Sequence, residues 1–139
     1  METQERARLD DLVLHVLSCA AQLLYVEDAR AAYDLLVRAS RFYRYAVAAD
    51  RMVTLTEEIR CLEDYRVISG CDARGGLRVE LDAERLPASI FVERMAIVRA
   101  VGELAESEGD DAVLVDAGDD APTFCRVSRG RSTRTIPLS

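Results

Sequence analysis

The sequence contains no lysine, although 18 of its 139 residues carry a positive charge: all 18 are arginine. This absence excludes Schiff-base catalysis and the phosphate-binding lysine of a P-loop. Histidine is equally scarce, since His15 is the only one. A site that needs two imidazoles from one chain, as the usual zinc hydrolases do, is therefore excluded.

Long apolar runs are also missing, and the longest contain four to six residues. Residues 1–5 contain no basic stretch followed by an apolar one, so we predict neither a signal peptide nor a transmembrane helix and expect a cytoplasmic protein. The four cysteines contain no C-x-x-C pair. We interpret them as free thiols in a reducing compartment, with a disulfide framework or a zinc site as the alternative. They are Cys19, Cys61, Cys71 and Cys125.

Acidic residues outnumber basic ones. The 25 aspartates and glutamates give the chain a formal net charge of −7, and such a field repels the phosphates of nucleic acids and anionic membranes. We therefore expect neither as a partner. Half of the residues are apolar and 31% are charged, a composition typical of a packed core.

Apolar residues recur every three or four positions in two stretches, residues 4–24 and 29–47. This periodicity predicts two amphipathic helices joined as an antiparallel hairpin. The apolar stripe is too long for one hairpin to cover alone, so we expect homodimerisation into a four-helix bundle. The stripe positions are Leu9, Leu12, Val13, Val16, Ala20, Leu23 and Leu24 in the first stretch and Ala29, Ala32, Leu36, Ala39, Tyr43 and Val47 in the second.

A capping box follows the predicted hairpin. Thr54 and Glu57 have the spacing at which a threonine oxygen and a glutamate satisfy each other's backbone donors. A third helix should therefore begin at Thr54 and end near Ser69. Beyond it, apolar and charged residues alternate over residues 77–81, which predicts a half-buried strand.

The last part of the chain predicts a helix and two further strands. Pro87 is expected to open a helix that ends near Glu106, and apolar runs at residues 112–115 and 124–127 predict a β-hairpin. One helix against a sheet makes this half a small α+β layer. The predicted division is a helical hairpin over residues 1–52, an α+β domain over 53–130 and a loose tail over 131–139.

The order of these elements resembles the cytoplasmic kinase region of LytS-type sensor histidine kinases over about residues 8–102. In that family one helix carries a phosphoaccepting histidine in the pattern Q-I-N-P-H-F-x-x-N, and an ATP-binding helix follows a strand. The resemblance implies a dimerising hairpin and a partial, ATPase-like α/β layer. The matching positions are His15 within residues 12–17, Arg44-Tyr45, residues 53–59 for the pattern v-t-L-x-x-E-l, Tyr65, the strand at 77–81 and Pro87.

Several departures from the family pattern concern its chemistry. Leu14 and Cys19 replace the proline and asparagine that flank the family's phosphoacceptor. The magnesium-binding pattern E-N-A-x-x-H-G corresponds to residues 96–102, where only Gly102 is retained and Ile97 replaces the metal-binding asparagine. A side chain without an oxygen cannot hold the metal that bridges ATP phosphates. The resemblance therefore implies a truncated, degenerate kinase core without ATP-dependent kinase activity and without a cofactor.

His15 is the candidate catalytic residue, because the resemblance places it at the phosphoacceptor position. Its helical position lies roughly 120° from the centre of the apolar face, so its ring should be partly exposed. Asp11, one turn earlier on the same side, could orient the imidazole by accepting a hydrogen bond. The same geometry suits an idle surface histidine, and both interpretations stay open.

No metal site is expected. The acidic stretch from Glu103 to Asp120 lacks the ligand order and mid-loop glycine of a calcium loop, so we interpret it as a solvated loop.

These observations lead to three functional hypotheses. The leading one is a non-catalytic, histidine-kinase-like protein that homodimerises and modulates a two-component pathway by binding a response regulator or a sensor kinase. The second is a phosphotransfer protein that uses His15 as phosphoacceptor and exchanges a phosphoryl group with a receiver-domain aspartate. The third is an oligomerisation scaffold without a signalling role.

Overall fold

The computed structural model describes residues 3–25, 28–70, 78–82, 89–106, 111–117 and 124–139. Within these ranges the chain is an α+β protein with four helices and six short strands, which confirms the predicted class. In chain order the elements are α1 (Thr3–Tyr25), α2 (Ala29–Val47), β1 (Met52–Thr54), α3 (Leu55–Ser69), β2 (Val79–Asp82), β3 (Phe91–Glu93), α4 (Ala96–Ala105), β4 (Val113–Asp116), β5 (Phe124–Arg129) and β6 (Ser132–Pro137).

The first two helices, α1 and α2, form the predicted hairpin, with ends within one residue of the predicted positions. Asp28 connects them. Its backbone N–H donates to the Leu23 carbonyl at 2.8 Å, and its Oδ1 accepts from the Ala31 backbone N–H at 3.2 Å. The Asp28 carboxylate thus caps α2, because it accepts a backbone N–H of the first turn that has no partner within the helix.

The third helix, α3, begins at the predicted capping box. The Thr54 backbone N–H donates to Glu57 Oε2 at 2.9 Å, and the Glu57 backbone N–H donates to Thr54 Oγ1 at 3.2 Å. The helix ends at Ser69, whose hydroxyl donates to the Tyr65 carbonyl at 2.7 Å. Both predicted ends of this helix are confirmed.

The chain divides into two compact units, and the division falls inside α3. The hairpin unit consists of residues 1–47 and 64–76, and the strand-rich unit of residues 48–63 and 77–139. Because α3 runs from 55 to 69, it contributes its first half to the strand-rich unit and its last turns to the hairpin unit.

The strand-rich unit contains a four-stranded sheet in the order β2-β4-β5-β6. The central β4 is parallel to β2 and antiparallel to β5, which confirms the predicted strand and hairpin. The predicted turn of that hairpin, residues 118–122, lies outside the described residues. Helix α4 packs on β4, β5 and β6 and closes the core of this unit. The buried core residues are Ile97, Val98, Ala100, Val101 and Leu104 of α4 and Val113, Val115, Cys125 and Val127 of the sheet.

Residues 91–93 form β3, so the helix predicted from Pro87 is wrong at its beginning; Pro87 itself lies outside the described residues. In β3 only the middle residue, Val92, is buried, and it pairs with Val53 of the antiparallel β1. The strand ends at Glu93, and Met95, which has a left-handed φ of 67°, precedes the first turn of α4. Pairing with a strand 37 to 41 positions earlier in the sequence overrides the local helical pattern.

The prediction of a loose tail over residues 131–139 is wrong, because β6 pairs antiparallel with β5 along its length. A two-residue turn joins these strands, and its first residue, Gly130, has the positive φ of 57° that such hairpins need. Leu138 then bridges to Val92, which joins β6 to the two-stranded sheet of β1 and β3. Most side chains of β6 are exposed, so the strand depends on backbone hydrogen bonds and shows no apolar alternation in the sequence.

Candidate interaction surface

The predicted site residues His15 and Asp11 both lie on α1. The imidazole of His15 is half-buried, and its Nε2 lies 3.9 Å from the Sγ of Cys19, one turn later on the helix. Asp11 is exposed one turn earlier. The partial exposure predicted for the histidine ring is therefore observed, and its role as a phosphoacceptor stays a prediction.

The hairpin has two sides, which follow from the helical rotation of about 100° per residue. The interface between α1 and α2 is centred near Val16 on one helix and Leu35 on the other, and both residues are buried. The helices are antiparallel. A residue of α1 and a residue of α2 therefore lie on the same side of the hairpin when their side chains are rotated in the same sense about their helix axes, measured from Val16 and from Leu35.

One side, which we call the polar flank, consists of Asp11, His15, Asp34, Arg38 and Arg41. The last turns of α3 pack against it. Asp64 Oδ1 accepts from Arg41 Nη2 at 2.7 Å and from Arg38 Nη1 at 3.3 Å, and Arg38 also binds Asp34 at 3.1 Å. The rings of Phe42 and Tyr65 lie 5.7 Å apart beside this cluster. The polar flank is therefore covered in part from within the hairpin unit.

Asp64 was not predicted as a site residue. Its carboxylate is buried, and two guanidinium groups compensate the cost of removing that charge from water. The available signal is its place in α3, where Cys61, Leu62 and Ile68 around it are all buried. An acid within the buried stripe of a helix requires a partner, and α2 carries arginines that can supply one.

The other side, which we call the apolar flank, has no such cover within the described residues. It consists of Val13, Leu17 and Leu24 of α1 and Leu36, Tyr43 and Val47 of α2, all exposed. Leu17 and Leu36 lie at nearly the same distance from the turn, eight residues before Tyr25 and seven after Ala29. Six large apolar side chains on this side of the hairpin therefore face solvent.

The apolar stripe predicted from the sequence is divided between two surfaces. Val16, Ala20 and Ala32 of that stripe are buried in the hairpin. Val13, Leu24, Leu36, Tyr43 and Val47 of the same stripe remain exposed. In α2 the interface instead takes Leu35 and Phe42, each rotated by one residue from a predicted position. The stripe is thus wider than the contact that one hairpin makes.

The strand-rich unit buries a second acid, Glu58, at the N-terminus of α4. Its Oε1 accepts the Met95 backbone N–H at 3.0 Å, where the helix dipole favours a negative charge. Nearby, burial and then the charges of Asp116 and Glu58 raise the pKa of the Cys125 thiol to about 12. A thiol so far from ionisation is unsuited to nucleophilic chemistry.

Residues 96–102, which the resemblance aligns with a magnesium-binding pattern, lie on α4. Ile97, Val98 and Val101 point into the core of the strand-rich unit and are fully or nearly fully buried. These positions are used for packing, and Ile97 offers no oxygen to a metal ion.

Among the described residues no group of three or more histidine, cysteine or acidic side chains could hold a metal ion. Cys19, Cys61 and Cys125 are buried and free of disulfide bonds, whereas Cys71 lies outside the described residues. No helix in the described part of the chain is long and apolar enough to cross a membrane.

Comparison of the chain with models of known protein families, with curated proteins and with solved structures found no match.

Proposed function

We propose that this protein is a non-catalytic, histidine-kinase-like signalling protein that acts by association. It homodimerises through the helical hairpin and modulates a two-component pathway by binding a sensor kinase or a response regulator. The observation that carries the proposal is the concentration of exposed apolar surface on the hairpin. Of the 14 large apolar side chains that are exposed in the described residues, 10 lie on α1 and α2. A helix face of this kind marks a surface for another protein.

The sequence motifs supply the signalling part of the proposal. His15 lies in the first helix, the pair Arg44-Tyr45 near the end of the second, and the capping box at Thr54 before the third, in the order of the LytS-type kinases. This resemblance supports a partner from the same kind of pathway. The burial of Ile97 supports a role without ATP chemistry.

Light scattering at micromolar concentration tests the association. We expect a particle of twice the 15.4 kDa chain mass. Calorimetric titration with a phosphorylated and an unphosphorylated receiver domain, and with the helical bundle of a sensor kinase, tests the pathway. A monomer under these conditions would contradict the homodimer. A dimer that binds none of the three would instead favour the oligomerisation scaffold.

A phosphotransfer role for His15 is the second candidate, and one observation favours it. The imidazole lies on the polar flank, across the hairpin from the apolar flank, so pairing through the apolar flank leaves its exposed edge accessible. A lone pair of the neutral ring would attack the phosphorus of an aspartyl phosphate, and the aspartate carboxylate would leave with the electrons of the broken P–O bond. Asp11 would hold the proton on the other ring nitrogen.

Incubation with a phosphorylated receiver domain distinguishes this role from an idle surface histidine. Label that appears on the wild-type protein and is lost in His15→Ala would support phosphotransfer. Asp11→Asn is the matched variant, and it should transfer more slowly without losing the label altogether. Equal labelling of wild type and His15→Ala would eliminate the candidate.

A further inference from the structure

We propose that a second copy of this chain docks on the apolar flank, the surface of Val13, Leu17 and Leu24 of α1 with Leu36, Tyr43 and Val47 of α2. This inference rests on the proposed function and assigns its dimer interface to one side of the hairpin. The α1–α2 interface would stay internal to each copy, and the polar flank with His15 would face outward.

The choice of side follows from what each side already carries. The last turns of α3 occupy part of the polar flank, where Asp64 binds Arg38 and Arg41. A partner on that side would have to displace a buried ion cluster, which is costly. On the apolar flank, 53% of the Leu17 surface and 56% of the Leu24 surface are exposed. A partner that covers this side would remove their apolar area from water, which is favourable.

The dimensions of the apolar flank match a dimer interface. A helix of 19 residues, the length of α2, is about 28 Å long, and two packed helices are about 20 Å wide. Their common face is thus a rectangle of roughly 560 Å², and side chains that stand out from it raise the accessible area further. A standard protein interface buries about 800 Å² on each partner. One copy of the hairpin provides a surface of that order and a partner of the same length.

The charges on this side favour a copy of the same chain over another occupant. The charged residues that helical rotation places on the apolar flank are Arg6 and Asp10, one turn apart on α1. Their charges cancel, so this side does not share the repulsion expected from a net charge of −7. In a two-fold interface Arg6 of each copy can meet Asp10 of the other, since such interfaces are self-complementary. A membrane surface is disfavoured because no cluster of basic residues borders the apolar flank among the described residues of α1 and α2.

Two adjacent residues of α2 provide a matched pair of variants. Leu36 and Val37 are exposed at 40% and 36%, but successive helical positions point about 100° apart, and Val37 lies off the apolar flank. We expect Leu36→Asp to raise the dimer dissociation constant about a hundredfold or more, because each dimer would bury two such charges in place of leucine. Val37→Asp should change it by about threefold or less. Leu17→Asp repeats the first test on α1.

Analytical ultracentrifugation measures the dissociation constants, and circular dichroism shows that each variant keeps the helix content of the wild type. A dimeric wild type with Leu36→Asp and Leu17→Asp as folded monomers supports the assignment. If the wild type is dimeric and these variants remain so, or if Val37→Asp is equally disruptive, the interface lies elsewhere and only this inference fails. A monomeric wild type contradicts the homodimer itself. If the monomer binds a receiver domain and Leu36→Asp abolishes that binding, the occupant of the flank is a different protein.

Discussion

The two units of this protein bury their apolar residues to very different extents. Half of α4 is buried, five of its ten residues, because a sheet covers one face of the helix. In α1 only three of 23 residues are buried, and in α2 three of 19. A helix on a sheet completes a core within one chain, whereas two helices cover only the stripe along which they meet. Among the described residues, the hairpin unit therefore exposes more of its large apolar side chains than the strand-rich unit does.

Each unit also contains a buried acid, and the two acids are stabilised in different ways. Asp64 in the hairpin unit is compensated by two arginine side chains. Glu58 in the strand-rich unit accepts a backbone N–H at the start of α4. The partners of Asp64 are two long arginine side chains, whereas the partner of Glu58 is a backbone N–H. This difference makes the Asp64 contact the more easily altered by a single substitution.

The largest expected effect is on the core of the strand-rich unit. Ile97→Ala removes most of a completely buried side chain from α4, so the free energy of unfolding should fall by about 3 kcal/mol. Val37→Ala on the exposed surface of α2 should change it by less than about 0.5 kcal/mol. Urea unfolding of both variants measures the difference. Equal losses would mean that burial does not distinguish the two units.

The ion cluster of the hairpin unit is expected to have the next largest effect. Asp64→Ala should cost about 2 kcal/mol, less than for a fully buried pair, because Arg38 and Arg41 keep access to water. Asp34 binds the same Arg38 from an exposed position, so Asp34→Ala should cost only about 0.4 kcal/mol. Denaturant unfolding compares the two. An Asp34 variant as destabilised as the Asp64 variant would argue against burial as the cause.

Loss of the capping box should have a smaller effect. Thr54→Ala removes the cap of α3 and should cost about 1 kcal/mol, whereas Thr56→Ala on the exposed side of the same turn should be nearly neutral. The hydrogen bonds from Thr54 lower the pKa of Glu57 below its ordinary value of 4.5. The folded state thus favours the ionised form, and this part of the stability is present above pH 4.5 and is lost as the pH falls through the lowered pKa. Unfolding curves measured between neutral and acidic pH should show that the free energy of unfolding falls less steeply with pH in Thr54→Ala than in the wild type.

The ionisation of Cys125 should have the smallest effect, because it changes the free energy of unfolding only at alkaline pH. The pKa of Cys125 is raised from 9.0 to about 12, so the unfolded chain loses this proton first. Stability from this group is complete below pH 9 and declines as the pH rises toward 12. Cys125→Ala should make that decline less steep. Native-state alkylation offers a check, since Cys125 should react at pH 10 only at the rate at which the strand-rich unit opens; rapid labelling of the native protein would contradict the raised pKa.

Much of the local structure could be predicted from the sequence. The limits of α1, α2 and α3 follow from the three- and four-residue periodicity and from the capping box at Thr54, because these signals depend on neighbours within one or two helical turns. The strands β2, β4 and β5 follow from alternating or continuous apolar residues between turn-forming ones.

The errors concern residues whose structure depends on distant partners. Residues 91–93 have an apolar density that suits a helix, and only pairing with β1 makes them a strand. Residues 132–137 have almost no apolar pattern, and β5 supplies the hydrogen bonds that order them. The apolar residues around Asp64 in α3 indicate that it needs a partner, but only the folded chain shows that Arg38 and Arg41 are those partners.

One histidine, no lysine, two amphipathic helices over residues 4–24 and 29–47, and a wide apolar stripe along them all follow from the order of residues alone. How that stripe is divided between the helix interface and the exposed surface depends on the packing of α1 against α2. The α1–α2 interface takes Val16, Leu35 and Phe42, and it leaves Leu17 and Leu36 in water. Periodicity defines the direction of an apolar face to within a residue or two, but the angle at which two helices meet selects which part is covered, and that angle depends on the shapes of all the side chains in contact.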